Sequence, residues 1–142
     1  MSPFPASPFG SEITQQEIIA TMSQFHSWED RYRQVVMWGK RLPVMSDVLK
    51  TEQITVSGCE SQVWLLAQQV HDRWYFHADS DARIVRGLIA IVLAAFDGLT
   101  APEIAQLDVD DYFAQLGLIE HLSPSRGNGL KAIVEQIQAV AR

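Results

Sequence analysis

Apolar residues recur along this 142-residue chain with two different periods. In the first third the spacing is helical. Ile18, Ile19, Met22 and Phe25 form a stripe at helical intervals. The stretch TQQE, from Thr14 to Glu17, reads as a capping box: the Thr14 hydroxyl accepts the third amide and Glu17 reaches back. A second helix is expected from Trp28 to Leu42, with Tyr32, Val35, Val36 and Gly39 on one side. Pro43 stops it, because the residue before a proline is pushed out of the α region. A turn or short helix is expected at Asp47 to Lys50.

The middle of the chain changes period. Ile54 and Val56 alternate with polar partners, as on a half-buried strand. Val63 to Val70 predicts a longer strand with Trp64 and Leu66 on one face. His71 to Arg73 reads as a turn, and the aromatic run WYFHA, from Trp74 to Ala78, as a strand. Three short neighbouring strands predict an antiparallel meander.

Helices then return. DSDARIVRGLIAIVLAAFDG opens with acids that suit the positive end of a helix dipole and closes at Gly98, a residue suited to the position after a helix. Apolar nearly all round beyond Leu88, it predicts a central buried helix. Thr100 to Glu103, TAPE, is a second capping box with proline in the first turn. A short helix is expected around Asp111 to Leu116. Ser123 is placed as the cap and Pro124 as the first residue of a final helix running to Arg142, with Leu130, Ile133, Val134, Ile137 and Val140 on its apolar face.

The order of helices, small sheet and helices predicts an α+β fold, a three-stranded antiparallel sheet packed against several helices. A length of 142 residues fits one domain over 1–142. Residues 1–12, rich in proline and serine, read as an extended N-terminal arm that packs on the body through Phe4 and Phe9.

Composition narrows the class of function. With 47% hydrophobic residues and 20% charged, the chain is expected to be a soluble globular protein. Its net charge of −6 argues against direct nucleic-acid binding, which needs a clustered positive surface. The densest basic group, Arg31, Arg33, Lys40 and Arg41, lies beside Glu29 and Asp30 and reads as a solvated helix face. The N-terminus has neither the positive start nor the apolar centre of a signal peptide. The most apolar run, Gly87 to Phe96, is shorter than the roughly 20 residues a membrane span needs. A cytoplasmic location is expected, where a free thiol survives.

That thiol is Cys59, the one cysteine of the sequence. It excludes an internal disulfide and paired-cysteine zinc or redox motifs. Free cysteines are commonly buried and inert. Here, however, the flank SGCES is small and polar, and Gly58 permits a bend where the chain passes from one strand to the next. Three readings stay open on the residues alone: a reactive thiol that meets a partner, a Cys59-dependent hydrolase or acyltransferase, and a non-catalytic interaction module. The hydrolase needs a histidine within reach, and His26, His71, His77 and His121 stand in no recognisable protease motif. Asp79 to Asp81 invites a metal, but helix capping accounts for it better. No metal site and no phosphate loop are expected.

Four fragments carry a resemblance. WEDRYRQVVMWGKRLP, VSGCESQVWL, DSDARIVRGLIA and HLSPSRGNGL, in this order from Trp28 to Leu130, resemble the SufE/CsdE family of sulfur-acceptor proteins. The arm SPFGSEIT and WEDRYRQ lean toward the CsdE branch, while ESQVW and DSDARIV suit SufE equally. The resemblance implies that Cys59 takes a persulfide sulfur from a cysteine desulfurase of the SufS or CsdA type, stimulates that enzyme, and relays the sulfur to iron–sulfur cluster assembly or a related sulfur pathway. It implies a SufE-like fold and a supporting role for Arg126 of SPSR. It further implies that the chain has no cofactor of its own, pyridoxal phosphate belonging to the partner, and that it is not a complete enzyme alone. Partners implied are the desulfurase, a downstream acceptor such as an iron–sulfur scaffold, and a tRNA dehydratase of ubiquitin-activating type. Neither a membrane nor a nucleic acid is among them. A carried persulfide would be lost to stray thiols, so Cys59 is expected to be sheltered at rest.

Overall fold

A computed structural model describes residues 2–59 and 61–142. Helices α1 (Gln15–Met22) and α2 (Trp28–Lys40) lead into two 3-10 turns, Asp47–Leu49 and Glu52–Ile54. Strands β1 (Val63–Val70) and β2 (Arg73–Ser80) form a hairpin, followed by α3 (Arg83–Phe96), the two-residue strand β3 (Leu99–Thr100), α4 (Ala101–Gln106), α5 (Val109–Leu116) and α6 (Pro124–Val140). The sheet is antiparallel in the order β1-β2-β3.

Helix α3 is the centre. Every residue from Ile84 to Phe96 except Arg86 is buried, which is what its all-round apolar composition requires. It packs on β2 on one side and on α1, α2 and α6 on others. The tightest of these crossings is with α2. A β-carbon added to Gly87 would meet the Val35 carbonyl and lie 2.6 Å from Val35 Cγ1, and one added to Gly39 would lie 2.8 Å from the Gly87 nitrogen. The two backbones therefore touch, and only glycine fits.

One buried polar cluster ties the same layers together. Asp79, near the end of β2, forms an ion pair with Arg86 and accepts the amides of Met45 at 2.9 Å and Ser80 at 2.8 Å. The Arg86 guanidinium also donates to the carbonyls of Gly39 (3.3 Å), in the last turn of α2, and Leu42 (2.6 Å), just beyond it. Lys50 Nζ stands 3.9 Å from Asp79 and 4.7 Å from the Trp64 ring centre. Buried charges persist only when paired and hydrogen-bonded in this way.

The sheet is three-stranded as the sequence predicts, but its third strand is Leu99–Thr100, paired with Arg73 and Trp74. Ile54 lies in a 3-10 turn, and only a bridge from Thr55 to Trp64 and the Val56 amide on the Val63 carbonyl (2.9 Å) remain of the expected strand. Trp64 and Leu66 do share a face, yet it is the more open one. Val63 and Leu65 point into the core.

Two helix starts differ from expectation. Thr14 precedes α1 but makes no side-chain cap bond. The helix start is set instead by the arm, where Gly10 donates to the Ile13 carbonyl and Ile13 to that of Pro8. The acids of DSD do not cap α3: Ala82 holds that position, Asp79 serves the ion pair, and Asp81 accepts the Gln62 amide at 3.1 Å. Gly98 follows the Asp97 cap of α3 with the positive φ expected there (84°), and its amide donates to the Trp74 carbonyl of β2. The capping box at Thr100–Glu103 and the Ser123 cap form as read.

Phe9 of the arm is fully buried and the Phe4 ring lies 5.7 Å from that of His77. Burial lowers the pKa of His77, and the nearby Asp79 charge opposes the shift in part. Gly10 packs on Asp97, just beyond α3, where an added β-carbon would fall 2.8 Å from Asp97 Cβ. Burial pushes the Asp97 carboxyl up to about 6, while the Phe76 amide, donating at 2.9 Å, restrains it.

This packing sets two measurable outcomes. Gly87→Ala should cost about 3 kcal/mol through overpacking at the α2 crossing, read as a lower urea midpoint at unchanged slope. The folded pKa of Asp97 lies above its unfolded value, so its contribution to stability is complete below about pH 4 and is lost as pH rises through about 6. Asp97→Asn keeps an acceptor for the Phe76 amide without the charge. It should therefore raise stability by about 1–2 kcal/mol near pH 8 and change little near pH 4, checked by urea unfolding at both values.

Candidate functional site

The loop between the Thr55 bridge and β1 is clamped at both ends. On one side the Val56 amide holds the Val63 carbonyl. On the other the Ser80 hydroxyl donates to the Gln62 carbonyl at 2.6 Å, and Asp81 accepts the Gln62 amide. These clamps come from the β2–α3 junction, which the Asp79–Arg86 pair fixes to α2. Gly58 makes the bend with φ of 89°, a conformation that a side chain would strain. The bend carries Cys59 toward α6, with the Gly58 backbone close to Ala132.

Cys59 is half-buried and packs against the hydrophobic core. Its thiol donates to the Gly129 carbonyl, with sulfur and oxygen 3.7 Å apart, which tethers the loop tip to α6. Residue 129 lies directly against the sulfur: a β-carbon there would stand 3.7 Å from it, at ordinary contact distance, so a larger side chain would press on the thiol. Burial raises the pKa of the thiol above the ordinary cysteine value. Donation to a carbonyl acts in the same direction, since it stabilises the protonated form and is lost on ionisation. At rest the half-buried sulfur thus favours the protonated, thiol form.

The thiol borders a cavity of about 340 Å³. Val63 of β1, Val85 and Leu88 of α3, and Leu130 and Ile133 of α6 give it apolar walls. Ser61, Ser123, Ser125 and Arg126 supply the polar side. Arg126 stands in the first turn of α6, its amide on the Ser123 hydroxyl at 3.4 Å. Its guanidinium makes no ion pair among the described residues. Cys59 and Arg126, far apart in sequence, thus border one hollow. Among the described residues that line it there is no histidine and no carboxylate. His77 is buried beneath Phe4, and His121 is stacked on Trp28 with ring centres 4.8 Å apart.

The sequence reading did not find Gly129. Its signal was the glycine pair in RGNGL, within an otherwise good helix, where a glycine costs about 1 kcal/mol relative to alanine unless a neighbour needs the space. No group of three or more potential metal ligands occurs among the described residues. Among those residues, no helix is long and apolar enough to cross a membrane.

Comparison with known proteins fits this arrangement. A family profile described as SufE, Fe-S metabolism associated domain, matches residues 16–141. A SufE-like protein of Rhizobium meliloti (strain 1021) is 46% identical over 129 residues, covering 88% of this chain and 92% of its own. The sulfur acceptor protein CsdE of Escherichia coli (strain K12) is 40% identical over 140 residues, covering 98% and 95%. The solution structure of a hypothetical protein from Thermus thermophilus superposes with a TM-score of 0.72 at 17% identity, covering 90% of this chain and 93% of that one, a likeness of fold. With the profile spanning nearly the whole chain and relatives this similar, the chain belongs to the SufE family.

Proposed function

We propose that this chain is a sulfur acceptor that takes a persulfide sulfur onto Cys59 from a cysteine desulfurase and relays it onward. The observation that carries the reading is the placement of Cys59. It is a single half-buried thiol on a glycine bend, bordering a cavity with Arg126 and with no general base among the described lining residues. A hydrolase would need a histidine or carboxylate beside the sulfur. A sulfur transfer needs only a second sulfur, which the partner brings. The likeness to CsdE supports the same assignment.

The step is thiol exchange. The Cys59 thiolate attacks the outer sulfur of the donor persulfide. A sulfur–sulfur bond forms on Cys59 while the donor's own sulfur–sulfur bond breaks, and the donor cysteine leaves as thiolate. The proton released by Cys59 balances the charge on that leaving group, so the step needs no external oxidant or reductant. Pyridoxal phosphate, held by the donor enzyme, supplies the chemistry that frees sulfur from cysteine.

Resting and working states differ in the position of the loop. Docking of the donor draws Cys59 outward on its glycine bend, between the Val56 and Gln62 clamps. The motion breaks the Cys59–Gly129 bond and exposes the thiol to water, both of which lower its pKa toward the ordinary value. The nucleophile is therefore scarce in the free protein and available at the partner. On return, Arg126 offers a cation to the anionic outer sulfur, and the apolar walls exclude competing thiols.

Two measurements test this. After mixing with a cysteine desulfurase, pyridoxal phosphate and cysteine, intact mass should rise by the mass of about one sulfur atom, mapped to Cys59. Cys59→Ser should still bind the desulfurase yet gain no mass and no longer accelerate it; undiminished sulfur uptake by that variant would refute the role. Secondly, because its folded pKa is raised, native Cys59 should react with iodoacetamide near pH 8 about tenfold slower than in concentrated urea. Gly129→Val, which fills the thiol's seat, should remove most of that protection.

A further inference from the structure

A second hollow, about 710 Å³, lies on α6 beside the Cys59 cavity, and Ser123 and Leu130 line both. Its floor is apolar: Val109 and Phe113 of α5, Ile119 and Leu122 of the following turn, and Val134 of α6. Ile119 is 47% exposed, a large aliphatic side chain that no neighbour covers fully. The rim is acidic. Asp108, Asp110 and Glu135 are all exposed, against Lys131 as the one cation lining the groove among the described residues. An apolar floor inside a charged rim is the layout of a protein interface.

We propose that this α5–α6 groove seats a basic, apolar segment of the protein that receives sulfur from Cys59. The inference rests on the carrier role proposed above. Charge selects the occupant's chemistry: leucine-like side chains fill the floor while lysines or arginines meet Asp108, Asp110 and Glu135. Position selects the recipient over the donor. The donor must draw the Cys59 loop outward and so engages the loop itself. None of the described residues between 43 and 62 lines the groove. A recipient arriving after loading needs a hold that leaves the loop free to move, close to the sulfur it will take. The shared wall of α6 provides this. In the step itself a recipient thiolate attacks the outer sulfur of the Cys59 persulfide. The bond to Cys59 Sγ breaks as the new sulfur–sulfur bond forms, and Cys59 leaves as thiolate, which regains its proton on returning to Gly129.

The test uses the full chain, loaded with labelled sulfur by a cysteine desulfurase and cysteine, and a purified iron–sulfur scaffold protein of the same organism as recipient. Asp110→Lys with Glu135→Lys is one variant, and Ile119→Glu another. All three positions are exposed, and an unchanged urea midpoint confirms that the variants fold. Loading from the desulfurase should be unaltered in both. Delivery to the scaffold should fall about tenfold, affinity for the scaffold should fall in parallel in a binding measurement made without sulfur, and added salt should weaken the parental interaction. Parental delivery and affinity in the variants would overturn the proposal, as would a parental chain that does not bind the scaffold. A defect in loading alone would overturn it too, by assigning the groove to the donor. A chain that never loads would refute the carrier role instead, and the sulfur-free binding measurement would then decide the groove.

Discussion

Helices α2 and α3 meet backbone to backbone, Gly39 against Gly87 with Val35 alongside, and the rest of the architecture follows from how close that approach is. At this separation Arg86 on α3 reaches the Gly39 and Leu42 carbonyls, at and just beyond the end of α2, and at the same time the Asp79 carboxylate on β2. Three elements are thereby locked at one point. Asp79 also captures the Met45 amide, so the segment after α2 is held down even though Val44 and Val48 stand in water. A wider crossing would leave a buried arginine and a buried aspartate without each other, which costs far more than the pair itself contributes.

The base of the loop that carries Cys59 is anchored through that point. Ser80 and Asp81, which hold Gln62, come directly after Asp79 in the chain, so the base of the loop is as fixed as the α2–α3 contact. The tip has a weaker tether, a sulfur-to-carbonyl bond onto Gly129 and a glycine bend.

Helix α6 serves both hollows. Its N-terminal turn brings Arg126 and two serines to the Cys59 cavity, its Gly129 carbonyl accepts the thiol, and its other flank forms one wall of the acidic groove. The Ser123 cap and Pro124 fix where that helix begins, and so fix the position of every residue along it.

Much of this was legible in the order of residues. The two periods of apolar side chains pointed to α+β, the all-round apolar run to the buried α3, and capping chemistry located α4 and α6, because these are local effects whose partners lie within a few positions. The family likeness singled out Cys59 and Arg126. Tertiary structure decided the rest. Asp79 looked like a helix cap until Arg86 and Met45 were placed around it, and the Thr14 cap gave way to the turn of the arm. The third strand moved from Ile54 and Val56 to Leu99 and Thr100. Gly129 showed its contact with the thiol only against a cysteine 70 positions earlier in the chain. Each depends on a partner distant in sequence, and a hydrogen-bonding group or a glycine carries no local mark of which distant partner it will meet.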